Sequence, residues 1–173
     1  MITKKYLVAA IILTLLAAVV RAQDSSRAPQ AMTADQKTAI LKEFTRSGKL
    51  SGAMLNFVLL NDKTVEVLFS GAGKAAIRVQ ARMRTTFFVQ GKAEKNITLD
   101  PNFVVEQDGK TYPGEAVNRK NLQAGAVVKG AQIEGFIQLG QKIDVTQSFK
   151  LKGANDMSVE FNLSPEAVKL LSN

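Results

Sequence analysis

The sequence predicts a mainly β, antiparallel fold: a sandwich of two sheets with a short helix at each end. After Gly48 the chain holds eight or nine short runs of β type, with turn signals about every 8–12 residues. No helix recurs between successive strands, as a parallel sheet would require. No change in composition divides residues 33–173, so we expect a single domain there.

Residues 1–22 have the pattern of a secretory signal peptide. Lys4 and Lys5 precede an uncharged, mostly apolar run, Tyr6–Val20, and small residues surround a cut before Gln23. The run has 15 residues, fewer than the roughly 18–20 that span a bilayer. Retention of this segment as an anchor is the alternative. We expect an exported protein, periplasmic or extracellular, without a transmembrane span once cleaved.

The amino-acid composition gives further information on the compartment in which the protein works. The chain has no cysteine, so an exported domain must rely on its core without disulfides, which favours a bacterial envelope. The formal net charge of +8 includes three basic residues of the predicted signal, and it falls to +5 for residues 23–173.

The polar segment 23–32 predicts a flexible leader, and a short helix follows it. Thr33 and Gln36 have the spacing of a capping box, and Gly48 predicts a left-handed stop after the helix. The apolar residues at helical spacing, which would dock this helix on the domain, are Ile40, Leu41 and Phe44.

The segment Ala75–Gln90 alternates apolar and polar residues with a period of two, which predicts a half-buried strand. At about 3.3 Å per residue it would span roughly 50 Å, so we expect a bend or break near Arg84 and a change of face at Phe88. Arg78, Arg82 and Arg84 would then lie on its polar face.

Further strands are predicted on both sides of that segment. Ala53–Leu60 is predicted to pair with Thr64–Phe69 across a turn. Asp108-Gly109 is a strong type I′ hairpin signal, Pro113-Gly114 would end that pair, and residues 115–123 would form a loop.

The C-terminal third predicts two strands, a hairpin and a helix. The two strands fall within Gly125–Leu139, where Gly135 suggests a bulge or a close backbone approach. Ser148–Lys152 and Met157–Leu163 alternate around a turn, and Ser164 with Pro165 starts the last helix.

From Phe103 onward the segments VVEQDGKTYPG, GAVVKGAQIEGFIQL and SFKLKG resemble immunoglobulin-like β-sandwich domains of bacterial exported proteins. The resemblance covers about half of residues 23–173; it bears on the fold and implies no active site. The Cys–Trp–Cys core of true immunoglobulin domains is absent, since the chain has neither residue.

The absence of histidine and cysteine excludes triad-type nucleophilic catalysis and the usual zinc, copper, haem and iron–sulfur ligand sets. Paired carboxylates could still act as acid and base, as in glycosidases. Such sites usually add aromatic platforms, and residues 23–173 contain no tryptophan and one tyrosine, Tyr112. We therefore expect a non-catalytic protein with no cofactor and no metal.

Basic residues form the candidate binding site: Arg78, Arg82 and Arg84 on the predicted strand face, with Lys74, and Arg119 with Lys120 in the predicted loop. Guanidinium groups on one face suit anionic partners, namely a polysaccharide, a lipid headgroup or an acidic protein surface. Nucleic acid is not expected, because aromatic residues are not interleaved. The alternative is a solvated face that keeps the protein soluble.

The sequence thus favours an exported binding or structural module. A small β-barrel that carries an apolar ligand is the first alternative, with an interior lined by Val79, Phe87, Ile137 and Phe149. A carboxylate-dependent hydrolase is the second.

Overall fold

An eight-stranded antiparallel sheet and four helices make up most of the described chain. This computed structural model describes residues 32–171, apart from the side chain at position 118, and the structural statements below concern those residues. The helices are α1 (Ala34–Phe44), α2 (Asp62–Leu68), α3 (Gly73–Met83) and α4 (Pro165–Leu171). The strands are β1 (Thr45–Leu50), β2 (Ala53–Leu59), β3 (Thr86–Ala93), β4 (Ile97–Leu99), β5 (Phe103–Gln107), β6 (Lys110–Lys120), β7 (Gly125–Val127), β8 (Gln132–Leu139), β9 (Phe149–Gly153) and β10 (Ser158–Phe161).

The large sheet curls until it nearly closes into a barrel. Its strand order is β1-β2-β3-β8-β6-β5-β9-β10, and the two edge strands lie against each other. Strands β4 and β7 form a separate pair. The predicted antiparallel, mainly β character is confirmed. The predicted immunoglobulin-like sandwich is not confirmed, because the eight strands pair continuously in one sheet.

Side chains close the seam between β1 and β10. The guanidinium of Arg46 donates to the carbonyl oxygen of Asn162 at 3.0 Å and lies 5.7 Å from the ring centroid of Phe161. A Cβ placed on Gly48 would come within 2.5 Å of a methyl group of Val159. Gly48 therefore allows the two edge strands to approach, and the prediction that it stops α1 is wrong. Helix α1 ends at Phe44 and the chain enters β1 directly.

Aromatic side chains fill the interior of the sheet. Phe149 and Phe161 stack with ring centroids 5.0 Å apart, and Phe87 lies 5.3 Å from Phe161. All three are at most 2% exposed. Burial of this size is the main stabilising term available to a cysteine-free domain.

A second core lies on the outer face of the sheet, under the helices. Val58 of β2, Phe88 of β3 and Phe136 of β8 pack there with Val65 of α2 and Ala81 of α3. Phe87 points inward and Phe88 outward, so the first half of β3 is buried on both faces. The predicted change of face at Phe88 is wrong, because β3 pairs with β2 and β8 without a register shift and Phe87 and Val89 stay on the same, inner face.

Two predicted strands are helices. Residues 64–68 belong to α2 and residues 75–83 to α3. Asn61 starts α2 with a capping box: its side-chain oxygen accepts from the amides of Lys63 and Thr64, and the Thr64 hydroxyl accepts from the Asn61 amide. In α3, Ile77 packs on the outer core and Ala81 belongs to it, whereas Val79 and Met83 are exposed.

In such short segments, an alternation of apolar and polar residues fits a helix as well as a strand. Residues four apart share a face in both a strand and a helix, so Ile77 and Ala81 fit either structure. The outer faces of Val58, Phe88 and Phe136 need a cover, and burial against them selects the helix. The predicted break near Arg84 is correct, since α3 ends at Met83 and β3 begins at Thr86.

The Asp108-Gly109 hairpin is confirmed, with φ of 50° and 72° at its two turn residues. The predicted end of this pair at Pro113-Gly114 and the predicted loop 115–123 are wrong, because β6 continues to Lys120. Strand β8 pairs with β6 only from Gly114 onward, so Pro113 lies where β6 still has one neighbour in the sheet.

The remaining C-terminal predictions are confirmed. The pair β9–β10 forms around a turn with positive φ at Asn155 and Asp156. The hydroxyl of Ser164 caps α4 by accepting from the amide of Ala167 at 3.1 Å, and Pro165 is the first helical residue. The predicted signal peptide and most of the predicted leader lie outside the described residues.

Candidate functional site

The basic residues predicted to share one face of a strand lie on or after a helix instead. Lys74, Arg78 and Arg82 lie on helix α3, where a spacing of four residues places them on one side. That side meets the two carboxylates of α2. Lys74 and Arg78 both pair with Glu66, and the guanidinium of Arg82 donates to Asp62 at 2.9 Å and 3.2 Å.

These ion pairs offset two of the three positive charges on this side of α3. The side-chain hydrogen bond from Arg82 holds the pKa of Asp62 below its ordinary value. The side-chain hydrogen bond from Lys74 lowers the pKa of Glu66 in the same way. Arg84 follows the end of α3, and its backbone amide caps the helix by donating to Gln80. The three arginines therefore do not form the shared anion-binding surface that a strand would have given them.

Arg119 and Lys120 lie at the end of β6, not in a loop. The guanidinium of Arg119 contacts the carboxylate of Glu134 at 3.3 Å and lies 5.6 Å from the ring centroid of Phe136. The register of β6 and β8 shifts here, where Gly135 allows the close approach that the sequence suggested. Arg119 thus has both an acidic and an aromatic partner within the fold.

A different basic surface forms at the end of the sheet where β2 begins. Lys49 of β1 and Lys92 of β3 lie opposite Met54 of β2 in the strand register, so the three residues form a row across three strands. Lys129 lines the same hollow as Met54 and Lys92. Lys95 approaches from the chain after β3, with its Cε 2.7 Å from where a Cβ on Gly52 would be.

We name this surface the lysine patch: Lys49, Lys92, Lys95 and Lys129, with Met54 and Val128. All six residues are exposed, Met54 by 48% and Val128 by 66%. No ion pair within 4 Å involves these lysines in residues 32–171. One carboxylate, Glu94, lines the hollow beside them. Four positive charges therefore face solvent around exposed apolar atoms.

Sequence reasoning missed the lysine patch because its members are dispersed along the chain. Eighty residues separate Lys49 from Lys129, and no local pattern links them. Antiparallel pairing of β1, β2 and β3 brings the first members together. A tight turn places Lys129 next to the end of β3, since the amide of Gly130 donates to the carbonyl of Ala93 at 2.8 Å.

Three strand carboxylates that could have served a hydrolase have separate partners. Glu106 pairs with Lys152 at 2.8 Å, Glu134 pairs with Arg119, and Glu160 accepts from the hydroxyl of Ser148 at 3.1 Å. Over residues 32–171, no group of three or more acidic side chains is placed to hold a metal ion.

Comparisons with known proteins found no match: no family model, no curated protein and no solved structure matches this chain. Within the described part of the chain, none of the helices is long and apolar enough to cross a bilayer. The fold and the site thus define a class in structural terms only, a small, nearly closed antiparallel barrel with a helical outer layer and a basic end. The resemblance to immunoglobulin-like domains stays a prediction.

Proposed function

We propose that this protein is an exported, non-catalytic module that binds an anionic lipid surface through the lysine patch. The observation that carries the proposal is the set of four exposed lysines, without ion-pair partners within residues 32–171, near exposed Met54; Val128, also exposed, precedes Lys129 in the chain. The predicted signal peptide supports export to a membrane-bounded compartment.

The expected strength of binding follows from the charge of the patch. A lysine near an anionic membrane surface contributes about 1 kcal/mol, and the attraction decays within a Debye length. Four lysines together suffice for reversible, salt-sensitive attachment. In contrast, Lys74, Arg78, Arg82 and Arg119 are paired with carboxylates and would first have to leave those partners.

The apolar members favour a lipid surface over a soluble polysaccharide. Met54 exposes aliphatic atoms between Lys49 and Lys92, and Val128 exposes more next to Lys129 in the chain. Lysine stems can lie along apolar surface while the ammonium reaches outward. An interface of lipid headgroups and acyl chains matches both features, as it does for amphipathic membrane-binding surfaces. An anionic polysaccharide would match the charges only.

The interior of the sheet does not favour the apolar-carrier alternative. Phe87, Ile137 and Phe149, three of the residues predicted to line a ligand cavity, are buried, and Phe87 lies 6.0 Å from Phe149. The fourth, Val79, is 54% exposed on α3.

The test is co-sedimentation of the protein with vesicles. The exported form is purified, its N-terminus is read by mass spectrometry, and vesicles with and without anionic phosphatidylglycerol are compared at low and high salt. We expect binding only to anionic vesicles, weakened by salt. Changing Lys49, Lys92, Lys95 and Lys129 to Gln should weaken binding by at least about 100-fold.

The matched control changes four exposed lysines elsewhere, Lys37, Lys42, Lys110 and Lys150, to Gln, which alters the net charge equally. We expect this variant to retain most of the binding. Equal losses in both variants would contradict a localised site. A double variant, Met54→Ser with Val128→Ser, should weaken vesicle binding but leave binding to soluble dextran sulfate unchanged. Tighter binding to dextran sulfate than to vesicles would contradict the proposed lipid ligand and would indicate an anionic polysaccharide.

A further inference from the structure

A cleft of about 330 Å³ opens at the other end of the sheet from the lysine patch. Strand β2 has seven residues, so the two sites are separated by roughly 20 Å. Aliphatic side chains from four parts of the fold form one wall of the cleft: Leu60, Ala81, Ile143, Leu170 and Leu171. The volume is at the lower end of the range for small-molecule sites.

Three charged side chains also line the cleft: Asp62, Arg82 and Lys142. Arg82 is bonded to Asp62, whereas no ion pair within 4 Å involves Lys142 in the described chain. Lys142 is close enough for its charge to help lower the pKa of Asp62, after the larger contribution of the hydrogen bond from Arg82. The cleft therefore has one excess positive charge beside an aliphatic wall.

The wall that includes Lys142 is held in place by hydrogen bonds. The hydroxyl of Thr85 accepts from the amide of Ile143 at 3.0 Å, and the amide of Thr85 donates to the carbonyl of Gln141 at 3.3 Å. The side chain of Gln107 donates to the carbonyl of Asp144 at 2.7 Å. A wall fixed in this way loses little conformational entropy when a ligand binds.

We infer that the cleft binds a small amphipathic carboxylate, with its aliphatic tail against Leu60, Ile143 and Leu170 and its carboxylate beside Lys142. A neutral apolar molecule would cover the aliphatic wall but would leave the positive charge of Lys142 without a counter-charge. An organic cation would be repelled by the excess positive charge of Lys142. A short carboxylate without a tail would leave the apolar wall in contact with water. This inference is independent of lipid binding by the lysine patch.

Calorimetric titration of the exported protein with octanoate, octylammonium and acetate tests the inference. We expect octanoate to bind, acetate to bind at least about tenfold more weakly because it buries no tail, and octylammonium to show no binding. Lys142→Met should weaken octanoate binding roughly tenfold, since it removes the charge but keeps the aliphatic stem. Leu170→Asn should also weaken it, through the tail.

Lys150→Met is the matched control, because Lys150 is exposed on β9 away from the cleft, and it should bind octanoate normally. Thermal unfolding of each variant shows that the fold is intact. Octanoate binding that is absent at about 1 mM, equal to octylammonium binding, or unchanged in both Lys142→Met and Leu170→Asn would overturn the inference. Vesicle binding by the lysine patch should be the same in all these variants.

Discussion

Gly135 of β8 lies in close contact with β6 and with the chain after β6. A Cβ at this position would lie 2.5 Å from Cδ2 of Leu122 and 2.7 Å from the carbonyl oxygen of Val117. Leu122 is fully buried and the carbonyl belongs to the backbone, so neither can move freely. The shift of register between Asn118 and Lys120 depends on this approach.

We predict that Gly135→Ala destabilises the protein by about 1–3 kcal/mol, because the added methyl overpacks the contact between the strands. Urea unfolding followed by circular dichroism measures the change. Gly140→Ala is the matched control, since no atom lies within 4 Å of the added Cβ there. A control variant as unstable as Gly135→Ala would show that the close approach is not the cause.

At the scale of elements, helices α2 and α3 are joined by ion pairs on their exposed side and by the outer core beneath them. Lys74, Arg78 and Arg82 follow one side of α3, and their carboxylate partners follow one side of α2. Exposed pairs contribute modestly to stability, so packing on Val58, Phe88 and Phe136 is the main attachment of the helices.

The ion pair between Asp62 and Arg82 makes this attachment pH-dependent. Folding lowers the pKa of Asp62 below 3.8, so its stabilising effect is complete above that value and is lost as the pH falls through the lower folded pKa. We predict that Asp62→Asn lowers the urea midpoint at pH 7, and that the difference from the unsubstituted protein shrinks towards zero in more acidic solution.

The matched control for that experiment is Asp108→Asn, which removes the same charge at the tip of the β5–β6 hairpin. Its urea midpoint should stay close to that of the unsubstituted protein at pH 7. If the difference caused by Asp62→Asn grew as the pH fell, the proposed linkage would have the wrong sign.

At the scale of the whole molecule, the barrel depends on a seam that lacks a backbone ladder. Strands β1 and β10 lie at opposite ends of the strand order, and Arg46, Gly48 and Val159 join them through side-chain contacts. Edge strands whose hydrogen-bonding groups are uncovered can pair with other chains. We therefore expect the seam to limit self-association.

We predict that Gly48→Val opens the seam, because the new side chain would collide with Val159. Stability should fall by about 1–3 kcal/mol, and sedimentation velocity should show more of the larger species as protein concentration rises. Gly73→Ala, where the added Cβ meets no atom within 4 Å, should change neither property adversely. A Gly48→Val protein with unchanged stability and sedimentation would show that the seam tolerates opening.

Much of the strand pattern was predictable because it depends on local physics. Alternation identified β9 and β10, and the positive φ required by Asp108-Gly109 identified the β5–β6 hairpin. The cap at Ser164 and the close approach at Gly135 also follow from the properties of single residues. The absence of histidine and cysteine restricted the possible chemistry without any structure.

The tertiary structure decided what residues distant in the chain do together. It made α3 a helix, because apolar residues on the outer face of the sheet had to be covered, and it placed Glu66 and Asp62 beside the arginines predicted to be free. It also joined strands that local patterns assigned to two sheets into one curled sheet. The lysine patch and the cleft exist only after that pairing, since periodicity specifies the buried face of a segment but not the segment that will lie beside it.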